Sequence, residues 1–260
     1  MPSDTASFAP VERVPGGSAK AAWPILLCDH ASNAVPPDLD LGLPADDMAR
    51  HIAWDVGARG VVLALAQALG APAVLSTFSR LVIDPNRGED DPTLVMRLYD
   101  GSVIPGNRNV DEGEIAKRIA NLYRPYHDAV TAEIDAALSM GARPYLISIH
   151  SFTRQLRGRP PRPWQIGLLW DRDRRLVDPL LDHLMLDTDL CIGRNEPYTG
   201  QLAGDCMWRH GTARGLPHVL IEIRNDLITS QEGQASWAAR LAPKITQAVA
   251  EADRAALSLA

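Results

Sequence analysis

Short apolar runs alternate with amphipathic stretches along the chain. "WPILLCD", from Trp23, has the size and composition of a buried strand. "MARHIAWDVGARGVVLALAQALG", residues 48–70, carries Ile52, Val56, Val62, Leu65 and Leu69 at helical spacing, with Gly70 as a C-cap. "APAVLSTF" predicts the next strand and "RLVIDPN" a short one ending at Pro85. Residues 88–110, rich in Gly, Pro and Asp, predict a loop long enough to be functional or mobile. "DEGEIAKRIANLYRPYHDAVTAEIDAALSMG" predicts a long helix with acidic residues in its first turn and a kink or break at Pro125. Then come a strand in "PYLISIHSFT", a basic Pro-rich loop over 153–164, a strand in "QIGLLWD" and a helix in "RRLVDPLLDHLML". A strand in "LCIGRNEPYTG", another in "GLPHVLIEIRND" and an amphipathic helix from Ser230 that includes Pro243 complete the pattern. Strands alternating with helices predict an α/β domain on a mostly parallel or mixed sheet. Residues 1–20 lack periodicity and read as a mobile arm or extended edge segment. Residues 21–260 read as one domain, with no repeat or linker.

Composition narrows the partners. The 46% hydrophobic fraction supplies a sizeable core, and the formal net charge of -6 argues against a nucleic-acid surface. No run approaches the roughly 20 apolar residues of a membrane span, and the first residues lack the basic and apolar regions of a secretory signal. Cys28, Cys191 and Cys206 are too few and scattered for a disulfide framework. The expectation is a cytoplasmic protein with reduced thiols.

Candidate chemistry sits at the ends of the apolar runs. "LLCDHASN" and "LISIHSFT" both run into a histidine, His30 and His150, and ligand sites of open α/β sheets lie at strand C-termini. Glu222 lies inside the apolar run "VLIEIRND". A buried carboxylate needs a partner, so Glu222 either pairs with an arginine such as Arg224 or faces a wet site. Two imidazoles and a carboxylate suggest a metal-assisted hydrolase, with the glutamate carrying the water proton to a leaving amine. In "SRLVIDPNR", Arg80, Asn86 and Arg87 suit planar recognition of a carboxylate, Asp84 could orient an arginine, and a surface Arg–Asp pair closing a turn is the alternative. Asp55 reads as mid-helix, either bonded to backbone or arginine or part of the site. Tyr198 in "NEPYTG" and His210 in "WRHGTARG" could reach the site from loops.

"CDHASNAVP", "HIAWDVGA", "SRLVIDPNR", "RPYH", "ISIHSFT", "NEPYTG" and "PHVLIEIRNDLI", in this order, resemble the N-formylglutamate amidohydrolase family over residues 23–230. That family is related by fold to zinc carboxypeptidases and aspartoacylases. The resemblance implies a three-layer α/β/α fold of the zinc-exopeptidase kind and a zinc-dependent hydrolase that cleaves the N-formyl amide of an acidic amino acid. It implies His30 and His150 as zinc ligands, Glu222 as general acid/base, and Arg80 as the group that polarises the scissile carbonyl. Asn86 and Arg87 would anchor the substrate carboxylate, with Tyr198 closing over it. The wider relatives carry a zinc-binding glutamate three residues after the first histidine. Asn33 stands there in this chain, a weaker ligand, so Asp29 or Asp55 could complete the site instead. Two alternatives stay open: a zinc amidase or carboxypeptidase acting on another N-acylamino acid or small peptide, and a metal-free binding protein that keeps the fold.

Overall fold

A computed structural model of the chain describes residues 8–17 and 21–258. In chain order the elements are strands β1 (Val11–Val14) and β2 (Ala22–Cys28), helices α1 (Ala45–Met48) and α2 (Ala58–Leu69), and strand β3 (Ala73–Ser76). A small hairpin, β4 (Leu98–Tyr99) and β5 (Ser102–Val103), precedes helices α3 (Glu112–Arg118) and α4 (Arg124–Ser139). Strands β6 (Arg143–Phe152) and β7 (Ile166–Leu169), helix α5 (Val177–Leu184) and strand β8 (Ile192–Arg194) follow. Helix α6 (Cys206–His210), strand β9 (His218–Arg224) and helix α7 (Gln231–Ser258) end the order.

Seven strands form one mixed sheet in the order β1-β3-β2-β6-β9-β7-β8. The central β3, β2, β6 and β9 are parallel, whereas β7 runs antiparallel to β9 and β1 antiparallel to β3. The N-terminal segment is thus an edge strand over residues 11–14; the rest of the expected arm, 1–7 and 18–20, lies outside the described residues. Strand alternation assigns the two faces. Leu26, Cys28, Ile147, Ile149, Val219 and Ile221 point to one face, where α2, α5 and α7 cover them with Val62, Leu65, Leu180, Leu241 and Ile245. Ile25, Leu27, Leu146 and Leu220 point to the other, under Tyr126, Val130 and Ile134 of α4 and Met207 of α6. This is the expected three-layer α/β/α arrangement. Among the described residues, no helix is long and apolar enough to cross a membrane.

Two of the expected elements differ in the structure. The helix expected over 48–70 begins at Ala58, because Gly57 adopts φ +84° and the chain before it turns. A Cβ on Gly57 would stand 2.0 Å from the Ile228 carbonyl oxygen, so neither the space nor the backbone angle suits another residue. Asp55 therefore sits in a turn before α2, with its N–H donating to the His30 carbonyl at 3.0 Å. "RLVIDPN" is a set of turns rather than a strand, since the Val82 and Arg87 N–H groups donate locally to Ser79 and Asp84. The long helix is interrupted as Pro125 required, by a wider π turn over Ile119–Tyr123. Pro243, by contrast, lies inside an unbroken α7.

Gly57→Ala is expected to lower the unfolding free energy by about 2 kcal/mol or more, since it combines a left-handed backbone with a backbone clash. Urea denaturation reads this directly, and an unchanged midpoint would contradict the packing described.

Candidate active site

The same alternation that builds the sheet assembles the site. Ser148 and His150 share a face of β6 with Leu146, and Glu222 shares a face of β9 with Leu220. His150 and Glu222 are register partners, and Leu27 of β2 pairs with Ser148. Asp29, one step beyond the end of β2, thus falls beside Ser148 and His150 on the α4 face. There Tyr126 of α4 donates to Asp29 Oδ1 at 2.6 Å, and Ser148 donates to Oδ2 at 3.0 Å.

The centre is a buried network of carboxylates and imidazoles. His150 Nε2 lies 2.8 Å from Asp29 Oδ2, and His30 Nε2 lies 2.7 Å from Asp84 Oδ1. The other nitrogen of each ring turns to Asp55. His150 Nδ1 is 2.8 Å and His30 Nδ1 3.4 Å from the same oxygen, Asp55 Oδ2. His30 Nδ1 is buried without a hydrogen-bond partner. Asp55 also accepts from the Ser151 N–H. Arg80 donates from Nε and Nη2 to Asp84 Oδ2, at 3.1 and 2.7 Å, and its Nη1 lies 3.8 Å from Asp55. The alternative of an exposed Arg–Asp pair is excluded, because Asp84 is fully buried.

Burial and charge act against one another here. Burial alone would raise the Asp29, Asp55 and Asp84 carboxyls, but the histidines, and for Asp84 chiefly Arg80, hold all three below the usual carboxylate range. Burial opposes a charge on His150, yet hydrogen bonds to Asp29 and Asp55 raise its affinity for a proton well above the ordinary value. Three ionised carboxylates thus face Arg80 and the proton that they hold on His150, an excess of negative charge that suits a divalent ion taking that proton's place. With each Nε2 tied to an outer carboxylate, each Nδ1 is the nitrogen turned to the candidate metal position, His30 Nδ1 without a partner and His150 Nδ1 bonded to Asp55, itself a possible ligand. His30, Asp55 and His150 offer ligand atoms all within 4.8 Å of one another. The donor set fits a metal on the chain's own geometry.

Beside this centre lies a cavity of about 420 Å³, lined among others by Arg80, Asn86, Arg87, Glu222, Tyr198 and Trp208. Glu222 Oε2 is buried without a partner, and burial pushes this carboxyl up to about 7. Arg224 is not its partner, since that side chain pairs with Asp226. Asn86 is fixed by its own N–H to Asp84 and by its Oδ1, which accepts from the Cys206 N–H. Arg87 donates to the Asn86 carbonyl and to Thr93. Burial likewise pushes Asp205, the N-cap of α6 on the cavity wall, up to about 7.

Two expected site residues lie elsewhere. Asn33 donates from Nδ2 to the Met48 carbonyl at 2.9 Å and takes no place in the cluster. It is drawn away because residues 31–54 form a folded turn region, whereas Asp55 occupies the position beside the histidines. His210 belongs to α6, and its Nε2 lies 2.9 Å from His127 Nδ1, behind the cavity wall. Burial pushes these two histidines down to about 4 and about 3. With Cys206 they form a second buried group of possible metal donors. Tyr126, Ser148 and Asp205 have no motif that marks them in sequence; only the α6 N-cap of Asp205 is a readable local signal.

Known proteins resemble this chain in sequence and fold. The model of the family described as N-formylglutamate amidohydrolase matches residues 24–229. A crystal structure of the gene product Atu2144 from Agrobacterium tumefaciens is 36% identical, with a TM-score of 0.88, covering 95% of this chain and 97% of that one. An N-formylglutamate amidohydrolase from Ralstonia eutropha JMP134 shares the fold at 24% identity, with a TM-score of 0.76 over 95% of this chain and 100% of that one. An N-formylglutamate deformylase of Pseudomonas putida is 34% identical over 80 residues, 27% of this chain; the match spans only 30% of that relative's length.

Asp84→Asn leaves Arg80 without its charged partner in a buried place. The expected cost is about 3 kcal/mol or more of stability, measured by urea unfolding. A loss below about 0.5 kcal/mol, the range of surface changes, would contradict the network.

Proposed function

The chain belongs to the N-formylglutamate amidohydrolase family, and on that premise we propose that it hydrolyses the amide bond of an N-acyl amino acid, with N-formyl-L-glutamate as the reference substrate. One observation carries the reading: two imidazole Nδ1 atoms converge on one Asp55 oxygen, beside a Glu222 carboxyl that has no partner for Oε2. His30, Asp55 and His150 would hold a divalent ion, zinc by the preference of imidazole nitrogen. Bound there, the ion would act as a Lewis acid and lower the pKa of a water.

Glu222 performs the proton transfers. It lies beside His150 in the sheet register, with its carboxyl held near neutrality. It takes a proton from the attacking water as the new C–O bond forms, then passes that proton to the amine nitrogen as the C–N bond breaks. Arg80, held in place by two bonds to Asp84, offers its cation to the oxygen of the scissile carbonyl as negative charge grows there. Asn86 and Arg87, on the cavity wall, receive the substrate carboxylate, and Tyr198 closes the same wall. Asp29 and Asp84 hold the imidazoles in one tautomer and orientation. The metal-free binding alternative rested on Asn33 as a weak third ligand. Asp55 now supplies an anionic oxygen in that place, which supports the metal reading.

Formate release from N-formyl-L-glutamate tests the proposal. Release is expected to stop after chelation and return with added zinc. Glu222→Gln is expected to lower kcat by about 10²–10⁴, with zinc content and circular dichroism unchanged. A fully active Glu222→Gln protein would sink the mechanism.

A further inference from the structure

The proposed reaction uses two arginines at the cavity, and neither is left over for a second substrate carboxylate. Arg80 is spent on Asp84 and the scissile oxygen, and Arg87 on the α-carboxylate. A dicarboxylate substrate needs one more cation. The basic segment 153–164 supplies one beside the cavity, where Thr153 lines the wall and Arg162 lies against two lining rings. The Arg162 guanidinium lies 4.8 Å from the ring centre of Tyr198 and 5.7 Å from that of Phe152. Both rings line the cavity.

Among the described residues, no carboxylate pairs with Arg162, which is held in place by uncharged partners. Its Nη1 donates to the Thr153 carbonyl and to the Tyr198 hydroxyl oxygen, both at 3.1 Å, and both acceptors are uncharged. Most other arginines with hydrogen bonds in this molecule, such as Arg143, Arg174 and Arg240, use them on carboxylates. The segment is itself tied down. The Arg162 N–H donates to the Arg154 carbonyl at 2.8 Å, and the Arg157 N–H donates to Asp100 Oδ1 at 3.1 Å, which links the segment to the β4–β5 turn. A guanidinium stacked on aromatic faces keeps its edge donors for a planar partner and loses little freedom on binding one.

We infer that Arg162, clamped by Phe152 and Tyr198 beside the cavity, reads a second carboxylate on the substrate, carried by the amino-acid side chain. It is a specificity-determining residue for the reaction proposed above, on which this inference rests. Arg80 and Arg87 would serve any N-acyl amino acid, whereas Arg162 selects the acidic ones.

Steady-state kinetics with N-formyl-L-glutamate and its uncharged isostere N-formyl-L-glutamine test this, using zinc-supplied protein. Arg162→Gln is expected to reduce the preference for glutamate over glutamine by about tenfold to a hundredfold, mostly through KM. Arg162→Lys, which keeps the charge but loses the fork, is expected to recover part of that preference. An unchanged ratio, or equal losses on both substrates, would overturn the inference while leaving the reaction standing. Hydrolysis of neither substrate by the unaltered protein would overturn the reaction and the inference with it. Inhibition of the unaltered protein needs no variant: glutarate is expected to inhibit about tenfold more tightly than butyrate, and equal inhibition would overturn the inference.

Discussion

The molecule depends on two buried imidazoles being gripped from both sides by carboxylates. Asp84 and Asp29 hold the outer nitrogens of His30 and His150, and Asp55 faces both inner ones. Burying three ionised carboxylates is costly unless each has a charged or hydrogen-bonding partner. Much of the surrounding structure serves that requirement. Tyr126 and Ser148 satisfy Asp29, Arg80 satisfies Asp84, and the Ser151 N–H satisfies Asp55. The network is electrostatically expensive, and its negative excess gives a cation a reason to bind.

The sheet makes this network possible at small conformational cost. Parallel pairing of β2, β6 and β9 brings three strand ends to one edge, and period-two alternation turns Asp29, Ser148, His150 and Glu222 to one face. A one-residue slip of β9 would send Glu222 into the apolar layer beneath α2 and α7. The apolar residues Leu146 and Leu220, which share faces with the polar site residues, pack under α4 and α6 and fix the register. Stability and chemistry thus use the same constraint.

Much of this was legible in the sequence, for identifiable reasons. Strands rich in Ile, Leu and Val announce themselves, and polar residues that interrupt such runs, His30, His150 and Glu222, stand out against them. The link from Asp84 to an arginine was readable from their closeness within "SRLVIDPNR". Asp55 was legible as a candidate but was placed in a helix, because its apolar neighbours Ile52 and Val56 mimic helical spacing. The left-handed Gly57, with no room for a Cβ against the Ile228 carbonyl far along the chain, marks where the turns end and the helix begins. Asn33 misled for the opposite reason: its spacing after His30 matched a ligand position, but tertiary packing turned its amide to Met48. Tyr126 and Ser148 act through contacts 97 and 119 residues distant in sequence from Asp29, which no local pattern encodes.

The most direct test of the central claim is X-ray absorption at the zinc edge on stoichiometrically loaded protein. The account predicts a shell of nitrogen and oxygen only, with outer-shell scattering from two imidazoles, as His30, His150 and Asp55 require. Sulfur in the shell would place the ion instead at Cys206 with His127 and His210, and would contradict the assignment of this site.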